Sequence, residues 1–152
     1  MNIQELKSQL PPHRALLAFD YGEKRLGVAV SDLLLLTANP LPIIQRHSET
    51  QDLAQIKKII TEKEVGALVY GLPLQMDGSE GTTAAAARKF AVKVASQIPL
   101  PYIFWDERLS SKAVENFLIR EVDMSRAKRR QILDSSAACY ILQGVLDAIR
   151  YC

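Results

Sequence analysis

Leu16-Leu17-Ala18-Phe19-Asp20-Tyr21-Gly22 is the stretch on which the fold of this chain turns. Five apolar residues beginning at Ala15 run without interruption into one carboxylate, and a glycine follows two positions later. An unbroken apolar run of this length is the pattern of a strand buried on both faces. An acid at the end of such a strand stands at the rim of the sheet, where α/β proteins place their ligands. Arg25-Leu26-Gly27-Val28-Ala29-Val30-Ser31 reads as a second strand. The connector Tyr21-Gly22-Glu23-Lys24-Arg25 is short enough for a hairpin.

Outward from this pair, residues 37–42 hold two prolines, and residues 41–44 read as a third, edge strand. Ser48 with Gln51 three residues on resembles a capping box. Behind it Leu53, Ile56, Ile59 and Ile60 recur at helical spacing, which predicts an amphipathic helix over 49–64. Gly66 reads as a break before a fourth strand over 67–70, and residues 71–81 read as a loop. A second helix is expected over 82–97, with Ala87, Phe90, Ala91 and Val94 on one face. A fifth buried strand over 102–105 ends in Asp106-Glu107-Arg108, with further helices over 110–120 and 126–150. A hairpin meander followed by alternating helices and strands implies right-handed crossovers and a largely parallel half-sheet. The expected architecture is α/β: a mixed five-stranded sheet with helices on both faces. Residues 15–152 form its single domain, and residues 1–14 form a leader outside the core.

A chain of 152 residues has room for one real core, and 48% hydrophobic with 24% charged residues is ordinary for a soluble globular fold. A net charge of +2 is too small to name a partner, so that argument rests on local clusters. Cys139 and Cys152 form neither a C-x-x-C pair nor a zinc spacing, and read as reduced thiols of a cytoplasmic protein. Residues 1–12 lack the apolar segment of a signal peptide. Leu33-Leu34-Leu35-Leu36 is far shorter than the ~20 apolar residues a bilayer needs, so no membrane partner is expected.

Three acids carry the functional reading. Asp20 is the first, although an Asp near a Gly also serves simply to start a turn. Asp106-Glu107 is the second. The competing account there is helix capping, with Asp106 or Ser110 as N-cap and Glu107 as a first-turn charge. The third is Asp134. The apolar positions of the final helix are Ala138, Ile141, Val145, Ala148 and Ile149, and Asp134 falls on their face, four residues before Ala138. A carboxylate turned toward a sheet is costly unless something pairs with it. Arg130 is the competing partner, in the weaker orientation for a helix pair. Ser135, Ser136, Ala137 and Ala138 would let this helix lie close to the sheet.

Two acids at strand ends and one on the inner face of a helix describe a single pocket. Carboxylates so gathered repel one another and raise their own pKa values unless a cation is present. No His or Cys lies in these motifs, so the ligand set is all oxygen, favouring Mg²⁺ or Mn²⁺ over zinc. Carboxylate-bound Mg²⁺ suits phosphodiester hydrolysis.

Gly71-Leu72-Pro73-Leu74-Gln75-Met76-Asp77-Gly78 follows the fourth strand on the same rim, where glycines let backbone N–H groups approach phosphate. It also fits a plain strand-to-helix connection, and it is not a Walker A motif. Arg126, Lys128, Arg129 and Arg130 gather at the start of the final helix, where positive charge opposes the macrodipole. A polyanion would neutralise them; a solvated turn balanced by Glu121 and Asp123 is the plainer account. With Lys24 and Arg25 of the hairpin connector and Gly71, these residues make up the expected nucleic-acid contacts.

Together the motifs resemble the YqgF family, also called RuvX, of ribonuclease H-like proteins, related in fold to the RuvC Holliday-junction resolvases. Asp20-Tyr21-Gly22 with Arg25-Leu26-Gly27-Val28-Ala29 looks like the family's opening strand pair. Gly71-Leu72-Pro73 with Met76-Asp77-Gly78 looks like its central loop. Asp106-Glu107-Arg108-Leu109-Ser110 and Asp134 with Ala137-Ala138 look like its last two motifs. The match runs from about residue 15 to 149; Gln75 stands where an Asn is usual and Ser111 where a Thr is usual. The resemblance implies a ribonuclease H-like fold and a metal-dependent nuclease of pre-16S rRNA processing, with Asp20, Glu107 and Asp134 as metal-binding acids. It leaves the part of Asp106 open. The expected partner is nucleic acid, an RNA precursor or branched DNA, with a weak homodimer as the assembly. Two other readings compete: a nucleic-acid-binding factor of the same fold that does not cut, and an actin-like phosphotransferase, for which one small domain is short.

Overall fold

Among the described residues, five strands make one sheet: β1 (Ala15–Asp20), β2 (Arg25–Ser31), β3 (Ala38–Gln45), β4 (Val65–Leu72) and β5 (Tyr102–Asp106). Their order is β3-β2-β1-β4-β5. The structure is a computed structural model and describes residues 1–107 and 126–151, the side chains of 126–136 excepted. β1, β2 and β3 form an antiparallel meander, with Phe19 opposite Val28 and Val28 opposite Leu41. β4 and β5 run parallel to β1, with Phe19 beside Tyr70 and Tyr70 beside Phe104. Parallel neighbours need crossovers. α2 (Glu49–Lys63) leads from β3 to β4, and α3 (Thr82–Gln97) from β4 to β5. α1 (Ile3–Gln9) precedes β1, and α4 (Arg126–Arg150) comes last.

The unbroken apolar run of β1 is buried on both faces, with Ala15 through Phe19 at 0% exposure. Leu17 and Phe19 face a layer completed by Tyr70, Phe104, Ile56 of α2, and Phe90, Ala91 and Val94 of α3. The rings of Phe19 and Tyr70 stack with centroids 5.4 Å apart, and Phe90 meets both edge-on. Leu16 and Ala18 face the other way, onto Val69, Ile103 and the α4 residues Ala138, Ile141, Leu142 and Val145. Each fully buried large side chain contributes about 1.5–3 kcal/mol, so β1 is the shared wall of both half-cores.

α2 begins as expected, with the Ser48 side chain accepting the Gln51 N–H at 3.2 Å. Three details differ from the sequence reading. β3 is twice the expected length and carries Pro40 and Pro42 inside it, which an edge strand tolerates because one of its sides needs no ladder. β4 takes in Gly66 and Gly71, which read as strand boundaries. Gly66 serves close packing: a Cβ there would lie 2.7 Å from the Arg14 Cβ and 3.0 Å from the Leu10 Cδ1. The stretch 1–14, expected outside the core, sends Leu6 of α1 into it at 0% exposure, beside Leu146 and Ile149 of α4 among others. The helix expected over 110–120 lies outside the described residues. No described helix is long and apolar enough to cross a membrane.

Candidate active site

The site is built where β1, β4 and β5 end together. Phe19 pairs with Tyr70 and Gly71 with Trp105, so Asp20, Gly71 and Trp105 fall in adjacent positions across the rim. The ladder continues one residue past β5, through a bond from the Glu107 N–H to the Leu72 carbonyl at 3.1 Å. Strand alternation then divides the two acids of β5. Asp106 follows Phe104 and is exposed, whereas Glu107 follows Ile103 and Trp105 onto the α4 face and is half-buried. Asp20 succeeds Phe19 and turns to that same face.

Asp20 and Glu107 meet there. Burial, first, pushes the Glu107 carboxyl up to about 10; its hydrogen bond with Asp20 and the charges of Asp20 and Asp106 add to the shift. The two carboxyl groups thus share a proton that Glu107 holds at neutral pH. The Glu107 Oε1 is buried and has no hydrogen-bond partner among the described residues. Buried acceptors are nearly always satisfied, and an orphan of this kind marks a place where a donor or a cation belongs.

Gly71 supports the Glu107 carboxyl. A Cβ at this position would lie 2.5 Å from the Glu107 Oε1, 2.6 Å from its Cδ and 2.6 Å from the Ile141 Cδ1. Gly71, expected to offer its backbone to phosphate, is the penultimate residue of β4, and the space its missing side chain leaves is filled by Glu107 and Ile141. The signal available in the sequence was a glycine closing a buried strand one residue before Leu72. Close packing recurs at Gly144, where a Cβ would lie 3.0 Å from the Trp105 Nε1, so α4 runs tight against this end of the sheet.

Lys24 and Arg25 are brought beside Asp20. With it, Gly22 and Thr83 of α3 they line an open cleft of about 400 Å³. Sequence reasoning did not single out Thr83, since only the tertiary fold carries the first turn of α3 to this rim. Asp134 lies in α4, one turn before the buried Ala138. Its side chain, and those of Arg126, Lys128, Arg129 and Arg130 in the same helix, lie outside the described residues. Among the described residues no three His, Cys, Asp or Glu side chains form a group suited to a metal, and Asp20 with Glu107 make a pair.

The profile of the RuvX family, described as Holliday junction resolvase, matches residues 14–148. This chain belongs to the RuvX family. A RuvX relative named "Putative pre-16S rRNA nuclease" from Agrobacterium fabrum (strain C58) is 47% identical over 150 residues, 98% of this chain and 93% of the relative. One of the same name from Rhodospirillum rubrum is 43% identical over 148 residues, 97% of this chain and 92% of the relative. Among solved structures, T. thermophilus RuvC in complex with Holliday junction substrate superposes with a TM-score of 0.58 at 14% identity, covering 91% of this chain and 97% of that one. The fowlpox virus resolvase, in complex with its substrate Holliday junction DNA, gives 0.56 at 9% identity, covering 89% and 98%. At these identities the likeness establishes the fold, which is ribonuclease H-like.

Proposed function

We propose that this RuvX protein is a metal-dependent endonuclease that hydrolyses phosphodiester bonds in ribosomal RNA precursor, with Asp20, Glu107 and Asp134 holding Mg²⁺ or Mn²⁺. The observation that carries the reading is the half-buried Asp20–Glu107 pair with its buried, orphaned Oε1. An all-oxygen donor set, at a sheet rim and beside an open cleft, fits a hard divalent cation. The names of the relatives supply the RNA substrate. The family's description favours a second substrate, the four-way DNA junction.

When bound, the cation would activate water and offset charge on the leaving oxygen. The chain's own part begins with Glu107, which gives up its proton so that both carboxylates turn acceptor. Gly71 and Ile141 hold that carboxyl against the sheet, fixing its place relative to Asp20. Lys24 and Arg25 flank Asp20 in the open cleft and neutralise backbone phosphates of the strand lying there. Arg126, Lys128, Arg129 and Arg130, at the start of α4, would add phosphate contacts by charge rather than by base reading. An RNA precursor as substrate places the reaction in the cytoplasm.

Cleavage of labelled pre-16S rRNA, unstructured single-stranded RNA and a four-way DNA junction, each with Mg²⁺, with Mn²⁺ and with chelator, tests the proposal. The expected result is metal-dependent cutting of the rRNA precursor. Cutting of the junction alone transfers the substrate to DNA, and cutting of nothing at any metal concentration returns the chain to a binding factor.

A further inference from the structure

Away from the acids, the described residues include an ion pair with a buried carboxylate that the catalytic reading does not use. Asp52, in the first turn of α2, is 4% exposed. Its Oδ2 lies 3.3 Å from the Arg46 Nε, and its Oδ1 accepts the His47 N–H at 3.1 Å. Arg46 follows directly on β3, and a charged pair this enclosed is costly unless its hydrogen bonds do more than cancel desolvation.

The remaining contacts of Arg46 all go to one segment and its neighbour. Its Nη1 donates to the Gly22 carbonyl at 3.0 Å, and its backbone N–H donates to the Lys24 carbonyl at 2.9 Å. Its guanidinium lies over the Tyr21 ring at 5.0 Å and the Phe90 ring at 5.3 Å. Tyr21, Gly22 and Lys24 are three of the four residues between Asp20 and β2, so one side chain and its amide tie down the connector that leaves Asp20. The turn is tight in itself, since a Cβ on Gly22 would overlap the Arg25 carbonyl oxygen.

We infer that Arg46, clamped by Asp52, is a positioning residue for Asp20: it fixes the β1–β2 connector, and through it the place of the Asp20 carboxylate opposite Glu107. The inference rests on the proposed role of Asp20, and it names the residue that sets the geometry of that acid from the opposite layer of the sheet. Arg46 touches neither substrate nor the reacting groups. Its effect is exerted through main-chain atoms, so a lysine, which keeps the charge beside Asp52, cannot reproduce the two-sided grip of the planar guanidinium.

The test compares Arg46→Lys and Arg46→Ala with Ile56→Val, a core change in α2 that leaves the connector alone. Amide exchange is read at residues 21–24, Mn²⁺ affinity by titration, and kcat and KM separately on the cleaved substrate. Arg46→Lys is expected to stay folded, to speed exchange at residues 21–24 about tenfold while β1 is unchanged, to weaken Mn²⁺ binding about tenfold and to lower kcat with KM held. Arg46→Ala is expected to exceed it in each, and Ile56→Val to leave all three at wild-type values. Unchanged connector exchange in Arg46→Lys overturns the inference, as does an equal loss of Mn²⁺ affinity in Ile56→Val. A wild-type protein that binds no Mn²⁺ refutes the proposed metal site instead, and the exchange arm still decides whether Arg46 holds the connector.

Discussion

Glu107 is the residue whose chemistry the fold alters most. Its carboxyl is held protonated far above the ordinary value of 4.5, so between that value and about 10 the folded state keeps a proton that the unfolded chain releases. Stability contributed by this group is therefore greatest below the unfolded pKa and declines as pH rises through that window. Replacing Glu107 by Gln removes the linkage, and the amide can still donate to Asp20. Metal-free Glu107→Gln is expected to melt above wild type at pH 8, with the difference closing by pH 4, in thermal scans under chelator. Asp20→Asn and Asp134→Asn are each expected to lower the cleavage rate roughly a thousandfold or more while leaving circular dichroism unchanged. Cutting by either variant near the wild-type rate removes that residue from the site. Gly71→Ala forces a methyl group onto the Glu107 carboxyl and Ile141, an overpacking that costs about 1–3 kcal/mol. Its signature is loss of Mn²⁺ binding at temperatures where the variant remains folded, and tight binding there would mean that Glu107 had moved aside without consequence.

At the scale of elements, β1, β2 and β5 follow from their apolar runs, and α2, α3 and α4 from apolar positions at helical spacing. β4 was shortened in the sequence reading because Gly66 and Gly71 look like punctuation. Each is required by a neighbour distant in the chain, Arg14 in one case and Glu107 in the other, and no local pattern records that. α1 was undervalued for a related reason: one buried Leu6 in a seven-residue helix makes no stripe. Of the site, strand-end position pointed to Asp20 and to Asp106–Glu107, the choice of Glu107 came from the family resemblance, and the hold of Arg46 on the connector required knowing that β3 ends beside the hairpin. α4 carries its own prediction. Replacing Arg126, Lys128 and Arg129 together by Ala should weaken nucleic-acid binding about equally across sequences. It should also flatten the slope of log affinity on log salt by roughly 0.7 per lost contact on a single strand. The thermal midpoint should hold or rise, since positive charge at a helix start opposes its dipole. An unaltered salt slope would show that these side chains are merely solvated.

Taken whole, the proposed metal site would couple folding, metal and proton at one rim of one sheet. A cation bound only by the native state raises the unfolding temperature. Loading the Asp20–Glu107 pair also expels the proton Glu107 holds, so apparent Mn²⁺ affinity should climb about tenfold per pH unit across the neutral range. Titrations at pH 6, 7 and 8 measure this directly, with proton release read in weakly buffered solution. Affinity independent of pH would mean that the cation sits away from Glu107.

β3 carries a consequence of a different kind. Pro40 pairs with Ala29 in the ladder to β2, Pro42 falls in the irregularity between Leu41 and Ile44, and neither has an N–H to donate. Two donors are missing from this edge strand, so a foreign strand arriving at this border meets a poorer ladder than a regular edge offers. The meander flank is in effect guarded against polymer growth.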